Sequence, residues 1–463
     1  MSNSIENEER AALLDNNNNR HSSEEDRILK QVVVKICASI AALIAFVCFI
    51  SYLVRGPDVL QQQPLPYFNG THGFNKTLII VSLDGFRNDY LKRGLTPNIN
   101  KLAEKGVGAK YMLPSFPSVT FPNHYTLVTG LYPEAHGIVG NDFYDPLHDR
   151  DFYYTDPKRS FDSFWWGGEP IWVTAELQGQ KSAVLMWVGS FAEIKQTRPT
   201  YQIPFNASWT LGDKVDQLLK WVDEEDDRAS LIAVYANQVD FYGHRFGPVS
   251  KEVDDALIQV DGMIGDMISG LEERNLTEIV DFIVVSDHGM ASINASSYIY
   301  LDKLLKQSLP DFEDLVSPLE GFPLAGIRPK NLDSQADIIT KLQKVSYNEP
   351  FDCYLKDDVP PRFHYSKSDR IAPIVCVPEV GYVLTSTGFW NRIVSNGTHG
   401  YDNLSEEMRA IFMAQGPTFE LYKQRTGQGN IMNEFRNVEV YNIMAKILDL
   451  APAANNGTVG SII

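Results

Sequence analysis

Carboxylates and imidazoles recur in this sequence directly after short apolar runs. Asp84 stands in Ser82-Leu83-Asp84-Gly85-Phe86-Arg87, Asp240 in Ala236-Asn237-Gln238-Val239-Asp240, and Asp287 with His288 in Ser286-Asp287-His288-Gly289-Met290. His244 follows Asp240 at a spacing that lets both converge on one ion from a turn or a helix start. His399 lies between glycines in Gly397-Thr398-His399-Gly400, where backbone freedom can aim its ring. An Asp and His set without nearby cysteine suits a hydrolytic zinc pair, because imidazole and carboxylate hold Zn²⁺ while leaving positions for a substrate. Each residue alone has an ordinary explanation: Asp84 as a helix N-cap, Asp240 as a turn cap, His399 as a solvated loop residue. Taken together, those explanations must all fall at the ends of apolar runs or in glycine-framed loops. The metal reading needs no such coincidence.

The apolar runs are what must position these groups. Leu78-Ile79-Ile80-Val81, Leu231-Ile232-Ala233-Val234-Tyr235 and Phe282-Ile283-Val284-Val285 are short, continuous and rich in β-branched residues, the pattern of strands buried on both faces of a parallel sheet. Between the second and third runs, Val253, Leu257, Val260, Ile264, Met267 and Leu271 form one stripe at helical spacing. Strands alternating with helices predict an open α/β sheet. Ligands bind such sheets at the carboxyl ends of the strands, so Asp84, Asp240 and Asp287 are expected on one rim. No internal repeat is visible. Residues 76–463 read as one catalytic domain, with an irregular, Pro-, Asp- and Lys-rich insert over 310–374.

The chain has 463 residues, of which 44% are apolar, and a formal charge of -18. That charge argues against broad attraction to nucleic-acid duplexes or anionic lipid, so a small anionic substrate must find its cations locally. Metal ions supply them without Lys or Arg. Residues 32–54 are apolar, with no charge from Ile36 to Val54, and are expected to span a membrane as a signal anchor. Arg20, Arg27, Lys30 and Lys35 precede this stretch against Arg55 after it, which puts residues 1–31 in the cytosol as a disordered tail, a type II topology. A cleaved signal peptide is the alternative, but the run is longer than an h-region and lacks a small-residue cleavage site. Within the tail, Glu9-Arg10-Ala11-Ala12-Leu13-Leu14 resembles an acidic dileucine signal for a sorting adaptor, which would direct the protein to endosome or vacuole rather than leave it at the cell surface. A solvated tail with incidental leucines accounts for it equally well. Residues 55–75 have the composition of a stalk. Glycosylation sequons begin at Asn69, Asn75, Asn206, Asn275, Asn294, Asn396, Asn403 and Asn456, all beyond the apolar run, in keeping with a lumenal or extracellular C-terminal part. Of 4 cysteines, Cys37 and Cys48 fall in the apolar run, leaving Cys353 and Cys376 to form a disulfide in an oxidising compartment.

The segment Pro114-Ser115-Phe116-Pro117-Ser118-Val119-Thr120-Phe121-Pro122-Asn123-His124, followed by Thr129-Gly130-Leu131-Tyr132-Pro133-Glu134-Ala135-His136-Gly137-Ile138, resembles the ectonucleotide pyrophosphatase/phosphodiesterase family of the alkaline phosphatase superfamily. The resemblance continues through Gly168-Glu169-Pro170-Ile171-Trp172, Asp240-Phe241-Tyr242-Gly243-His244, Val260-Asp261-Gly262-Met263, Ser286-Asp287-His288-Gly289-Met290 and His399-Gly400-Tyr401-Asp402-Asn403, from Lys76 to the end. It implies an alkaline-phosphatase-like, mostly parallel sheet flanked by helices, and a short, fungal-like type II form without somatomedin-B modules or a nuclease-like domain. It also implies two Zn²⁺ ions, one held by Asp84, Thr120, Asp287 and His288 and the other by Asp240, His244 and His399. Thr120 is then the nucleophile of a covalent phosphoryl-threonine route, and Asn141 a donor to a nonbridging phosphate oxygen. Phe121 and Tyr235 match the aromatics that sandwich a nucleobase, with Trp172 and Tyr154 as further pocket candidates. The expected reaction is hydrolysis of nucleotide phosphodiester and pyrophosphate bonds to nucleoside 5'-monophosphates. Relatives that cleave lysophospholipids or choline phosphodiesters share these ligands, so the metal site implies reaction class rather than substrate. A non-catalytic receptor retaining the fold is a further alternative, opposed by the complete ligand set. Sulfatases and phosphomonoesterases of the superfamily fit less well, lacking here their Cys/Ser-x-Pro-x-Arg frame or their serine with an arginine clamp.

Overall fold

A computed structural model describes residues 34–36, 38–40, 42–43, 46, 67–388, 395–427 and 429–458. The chain divides into two compact units, Met1–Pro66 and Tyr67–Ile463. The cytosolic-tail expectation for 1–31, most of the transmembrane expectation for 32–54, and the stalk as far as residue 66 lie outside the described residues. Among the described residues no helix is long and apolar enough to cross a membrane.

The second unit is built on an eight-stranded sheet. In chain order its strands are β1 (Thr77–Leu83), β2 (Val107–Ala109), β3 (Ser182–Leu185), β4 (Tyr201–Ile203), β5 (Leu231–Ala236), β6 (Val280–Val285), β7 (Phe412–Gln415) and β8 (Ile431–Met432). Their spatial order is β8-β2-β7-β6-β1-β5-β3-β4. From β6 to β4 every pairing is parallel, and only β7 runs against its neighbours β6 and β2. The strands expected from the apolar runs are β1, β5 and β6, side by side at the centre and buried along their whole length. In register, Ile80 of β1 lies between Ala233 of β5 and Ile283 of β6.

Helices cover both faces: α1 (Pro97–Lys105), α2 (Thr120–Thr129), α3 (Ile171–Leu177), α4 (Leu211–Val222), α5 (Gln238–Phe246), α6 (Lys251–Glu273) and α7 (Val440–Ile447). Alternate strand residues feed two separate cores, as the two-residue period of a strand requires. Ile79, Val81, Ile232 and Val284 pack against α1, α4 and α6, while Leu78, Ile80, Ala233 and Ile283 pack against α2, α3 and α7. The whole stripe Val253, Leu257, Val260, Ile264, Met267 and Leu271 of α6 is buried, each large side chain contributing about 1.5–3 kcal/mol. α6 begins where Ser250 Oγ accepts the Val253 N–H, and α4 where Thr210 and Asp213 form a reciprocal capping box. Asp261 holds α1 against α6 by accepting the Ile99 N–H at 2.8 Å.

The insert is more regular and wider than the composition predicts. Ala325–Ile327, Ile374–Pro378 and Phe351–Leu355 form a small antiparallel sheet under the helix Gln335–Ser346, with its own core around Phe312, Ile338 and Leu342. Its ends are joined by the parallel pairing of Tyr298–Tyr300 with Val383–Thr385, so it extends beyond both 310 and 374. Short strands interrupted by turns leave too little periodicity to read from sequence. Cys353 and Cys376 face one another across this sheet and are joined as a disulfide. Residues 67–75, counted in the stalk on composition, instead form a hairpin, Tyr67–Phe68 with Gly73–Phe74. Asn69 closes its turn through the Thr71 and His72 N–H groups and ties it to the globule by donating to Arg274 O at 2.8 Å.

The sequons divide by burial. Asn75, Asn206, Asn275, Asn294, Asn396 and Asn456 are exposed, and Asn69 is half-buried. Asn403 is only 2% exposed, and its Nδ2, the atom that would carry a glycan, donates to Pro114 O at 2.9 Å. This corrects the expectation for Asn403. Glycopeptide mapping of the folded protein is expected to find Asn403 unmodified, and Asn403→Ala to lower unfolding stability by about 1–3 kcal/mol through the orphaned carbonyl.

Candidate metal centre and active site

The carboxyl ends of β1, β5 and β6 are stitched together by bonds from backbone N–H groups that continue past the strands, two to carbonyls and one to a side chain. Asp84 N–H donates to Ala236 O at 2.9 Å, Asp240 N–H to Asp84 O at 3.0 Å, and Gly85 N–H to Asp287 Oδ1 at 3.1 Å. Gly85 has φ +68, and a Cβ there would lie 2.9 Å from Asp240 Cα. Only glycine lets these two loops approach so closely. Asp240 lies in the first turn of α5 and His244 in its last, which puts both side chains on one stripe at i and i+4. His399 comes from the far end of the sequence, after the short pairing of Gly397–Thr398 with Ala291–Ser292.

The three imidazoles share one orientation. His244 Nδ1 faces Gly397 O at 2.8 Å, His288 Nδ1 faces Gly289 O at 2.9 Å, and His399 Nδ1 faces Ser118 O at 3.0 Å. A carbonyl can only accept, so each Nδ1 carries the proton and each Nε2 presents a lone pair to the interior. There the Nε2 atoms of His244 and His399 are 3.0 Å apart, and the His288 and His399 rings stack at 3.6 Å. His288 Nε2 lies 2.9 Å from Asp287 Oδ2 and 3.6 Å from Asp84 Oδ1, while His244 and His399 Nε2 each lie 3.4 Å from Asp240 Oδ1. Wherever the rings are neutral, lone pairs face lone pairs and carboxylates; at His288 burial favours the neutral ring, but Asp287 outweighs it and raises the imidazole above its ordinary value. Asp84 Oδ1, Asp240 Oδ1 and Asp287 Oδ2 are buried and accept no hydrogen bond. Orphaned acceptors cost about 1–3 kcal/mol each, a large share of a domain's net stability. A divalent cation removes every one of these conflicts at once. Asp240, His244 and His399 bring their donor atoms within 4.8 Å of one another, as do Asp84, Asp240 and His288. The residues therefore fit a metal site.

The charges push the carboxyls apart in behaviour. Burial, then the nearby Asp287 and Asp240, raise Asp84 well above its ordinary value. Burial opposes ionisation of Asp287 as well, but His288 and His124 outweigh it and hold that carboxyl well below the usual range. For Asp240 the same contest, against His244 and His399, ends at about 2. Burial, with His288 beside it, lowers His399 to about 4, leaving its ring neutral.

Thr120 is the first residue of α2, and its Oγ1 is 3.3 Å from His288 Nε2. No side chain of the preceding residue caps this helix. The Phe121 N–H instead donates to Asn141 Oδ1 at 2.9 Å, which fixes the Asn141 amide beside Thr120 and leaves Nδ2 as its donor end. The positive end of α2 adds a field that favours negative charge at the same place. Beneath Thr120, one turn along, His124 sets Nδ1 3.0 Å from Thr120 O and 3.2 Å from Asp287 Oδ2, with Nε2 2.8 Å from Ser82 Oγ. Its spacing of four from Thr120 was the available sequence signal for this bracing residue.

The aromatic candidates separate. Phe121 is half-buried, with the exposed Tyr154 ring 5.3 Å away, edge to face. Trp172 is fully buried in α3 and belongs to the core, not to a pocket wall. Tyr235 is 8% exposed, and its hydroxyl donates to Asp84 Oδ2, so it holds a carboxylate rather than offering an open face to a base. The exposed ring beyond it is Phe205, 6.2 Å from Tyr235 and 52% exposed, which the sequence reading passed over.

Residues 78–402 match the family model described as type I phosphodiesterase / nucleotide pyrophosphatase. A Schizosaccharomyces pombe protein described as an uncharacterized pyrophosphatase/phosphodiesterase is 44% identical over 400 residues, 84% of this chain and 80% of that one. Human ectonucleotide pyrophosphatase/phosphodiesterase family member 1 is 39% identical over 83% of this chain, which spans 41% of it. Venom phosphodiesterase of Macrovipera lebetinus is 39% identical over 84% of this chain, which spans 45% of it. Among solved structures, murine ectonucleotide pyrophosphatase/phosphodiesterase 5 superposes with a TM-score of 0.75 at 32% identity, covering 82% of this chain and 97% of that one. An inactive threonine-to-alanine variant of the murine protein in complex with AMP superposes with a TM-score of 0.74 at 32% identity, covering 83% and 97%.

The electrostatics of the cluster predict a change of sign on metal removal. Without a cation, the raised Asp84 favours its protonated form in the fold, so stability is fullest below the unfolded value of 3.8 and declines as pH rises through the folded one. With chelator present at neutral pH, Asp84→Asn is expected to raise the melting temperature by a few degrees; with metal restored, the same substitution is expected to lower it. Thermal scans in both conditions check this, and a loss of stability in both would contradict the picture of Asp84 as a strained carboxylate.

Proposed function

The chain belongs to the type I phosphodiesterase / nucleotide pyrophosphatase family, and from that premise we propose that it is a two-zinc hydrolase of nucleotide phosphodiester and pyrophosphate bonds that releases nucleoside 5'-monophosphates. The carrying observation is the convergence of three imidazole Nε2 atoms and three orphaned carboxyl oxygens at the strand ends, with the hydroxyl of Thr120, at a helix N-terminus, 3.3 Å from His288 Nε2. Nitrogen and oxygen donors without thiolate favour Zn²⁺ in a catalytic rather than a structural setting. Asp84, Asp287 and His288 would hold one ion beside Thr120, and Asp240, His244 and His399 the other. When bound, the ions supply Lewis acidity and cancel the charge that otherwise repels a phosphate.

The protein's own groups do the rest. Thr120 gives its hydroxyl proton to solvent and Oγ1 attacks phosphorus in line; the bond to the leaving oxygen breaks, that oxygen keeps the electron pair and takes up a proton from water, and a further water then splits the threonine ester, returning the hydroxyl of Thr120 and releasing the monophosphate. Asn141 Nδ2 and the end of α2 stabilise charge on the nonbridging oxygens. Tyr235 and His124 fix Asp84, Asp287 and the first turn of α2 so that little reorganisation is needed. Phe121, flanked by Tyr154, offers one face to a nucleobase, and Phe205 replaces Tyr235 as the candidate opposite wall. The AMP held by the murine relative supports a nucleotide in this pocket.

The apolar run 32–54 supports a type II anchor with the catalytic unit lumenal or extracellular, at the cell surface or, through Leu13 and Leu14 and a sorting adaptor, in endosome or vacuole. The disulfide between Cys353 and Cys376 agrees with an oxidising compartment. Protease added to intact vesicles should remove only the tail if they expose their cytosolic face; digestion of the catalytic unit instead would reverse the topology.

Thr120→Ala is expected to reduce turnover of a nucleotidyl nitrophenyl ester by roughly three orders of magnitude or more while metal content is retained. Appreciable residual turnover would remove the nucleophile assignment. Because the nucleophile must be deprotonated, the rate should rise toward alkaline pH, and a maximum below pH 6 counts against the scheme. In a substrate panel, brisk hydrolysis of lysophosphatidylcholine with no hydrolysis of ATP would transfer the substrate assignment to choline phosphodiesters.

A further inference from the structure

Beyond the groups already described, the structure orders a row of rings outward from the nucleophile. Thr120 Oγ1 touches His288, His288 stacks on His399 at 3.6 Å, and His399 Nε2 meets His244 Nε2 at 3.0 Å. His244 is on α5, and Phe241 is three residues before it on the same helix, hence its neighbour on the helix surface. Phe241 is 49% exposed, whereas Asp240 beside it turns into the cluster. The Phe241 ring is braced edge to face by Tyr242 at 5.3 Å, and Tyr242 in turn stacks on Phe246 at 6.1 Å. A solvent-exposed phenylalanine on the helix that carries Asp240 and His244 is therefore braced by Tyr242, which is itself stacked on Phe246.

In-line displacement puts the leaving oxygen opposite Thr120 Oγ1 across phosphorus, on the side of Asp240, His244 and His399. Phe121, which follows Thr120 directly, serves the retained nucleoside. The helix surface on the side of the leaving oxygen is α5, which carries Asp240 and His244. We propose that Phe241 is a second stacking platform, for a planar base carried by the leaving group, and so selects substrates with a nucleoside at both ends, dinucleotides and dinucleoside polyphosphates, over nucleoside triphosphates whose leaving group has no ring. The inference rests on the phosphodiesterase reading above. Base–aromatic stacking is strong enough to change specificity by about tenfold and is indifferent to base identity.

The test compares diadenosine tetraphosphate with ATP. The ratio of their kcat/KM values is expected to fall about tenfold in Phe241→Ala and to recover in Phe241→Trp. In the Thr120→Ala background, calorimetry should show the same change in the ratio of the two dissociation constants, a readout that does not depend on turnover. Wild-type protein that cleaves both compounds, with ratios unchanged within twofold in Phe241→Ala, overturns the platform and leaves the phosphodiesterase reading intact. Wild-type protein that cleaves neither defeats both.

Discussion

The structure is organised around an electrostatic conflict at the centre of the sheet. Asp84, Asp240 and Asp287 are carried to one point by adjacent parallel strands, and the lone pairs of His244, His288 and His399 are aimed at the same point by carbonyls behind each ring. Among the described residues no Lys or Arg pairs with the orphaned oxygens, and the Nδ1 protons of His244, His288 and His399 point away. Burial multiplies the cost, since an unpaired acceptor loses water without replacement. Such an arrangement persists only because the strands beneath it are too well packed to yield. β1 lies between β5 and β6 with every residue buried, so relieving the repulsion by moving one loop would expose or misalign two cores. The fold supplies the stability that lets the site hold donor atoms in an arrangement that could take up cations.

Rigidity must also reach His399, which no strand of the main sheet carries. Its loop is fastened to the segment before the nucleophile. Ser118 accepts from His399 Nδ1 through its carbonyl and donates its hydroxyl to Tyr401 O at 2.7 Å. Asn403 reaches Pro114 O, and Asn123 accepts from both Ser115 N at 2.8 Å and Asn437 Nδ2 at 2.9 Å. The insert adds a clamp from the other side, where Arg362 makes a two-pronged pair with Asp402. The residues that surround Thr120 in sequence thus hold two things at once, the helix that presents its hydroxyl and the loop that presents the last imidazole. Within the run from Pro114 to His124, Ser118 serves the loop through both its carbonyl and its hydroxyl.

How much of this could be read from the sequence follows from how local each determinant is. β1, β5 and β6 were legible because strands buried on both faces must be continuously apolar, and α6 because its stripe repeats at helical spacing. Asp84, Asp240, His244, Asp287, His288 and His399 were legible because strand ends and glycine-framed loops mark them. Burial of a single aromatic is not local information. Trp172 and Tyr154 carry equivalent sequence signals, yet one lies inside the core and the other at the surface. Tyr235 sits one residue before the end of β5, and whether its hydroxyl faces a carboxylate or a solvent pocket depends on Asp84, 151 residues away. The insert failed for a related reason, since its strands are short and its sheet closes through pairings between distant segments.

These two kinds of determinant divide the function. Under the proposed function, Thr120 and the carboxylates and imidazoles around it would define what is done to phosphorus, and they leave little room for variation because protons and charges must balance around one point. The aromatic rings outside that point would define what is attached to the phosphorus. Phe121 is tied to the constrained region through its backbone N–H to Asn141, and its half-buried ring packs on Phe152, Tyr154 and Trp166. Phe205 and Phe241 project from α/β connections and from the surface of α5, where a different side chain alters contact with substrate and little else. Under that proposal the chemistry is fixed by the interior of the sheet, while substrate choice falls to exposed rings whose identity the interior does not dictate, so the rings around Thr120 and His244 are where a difference in substrate is to be sought.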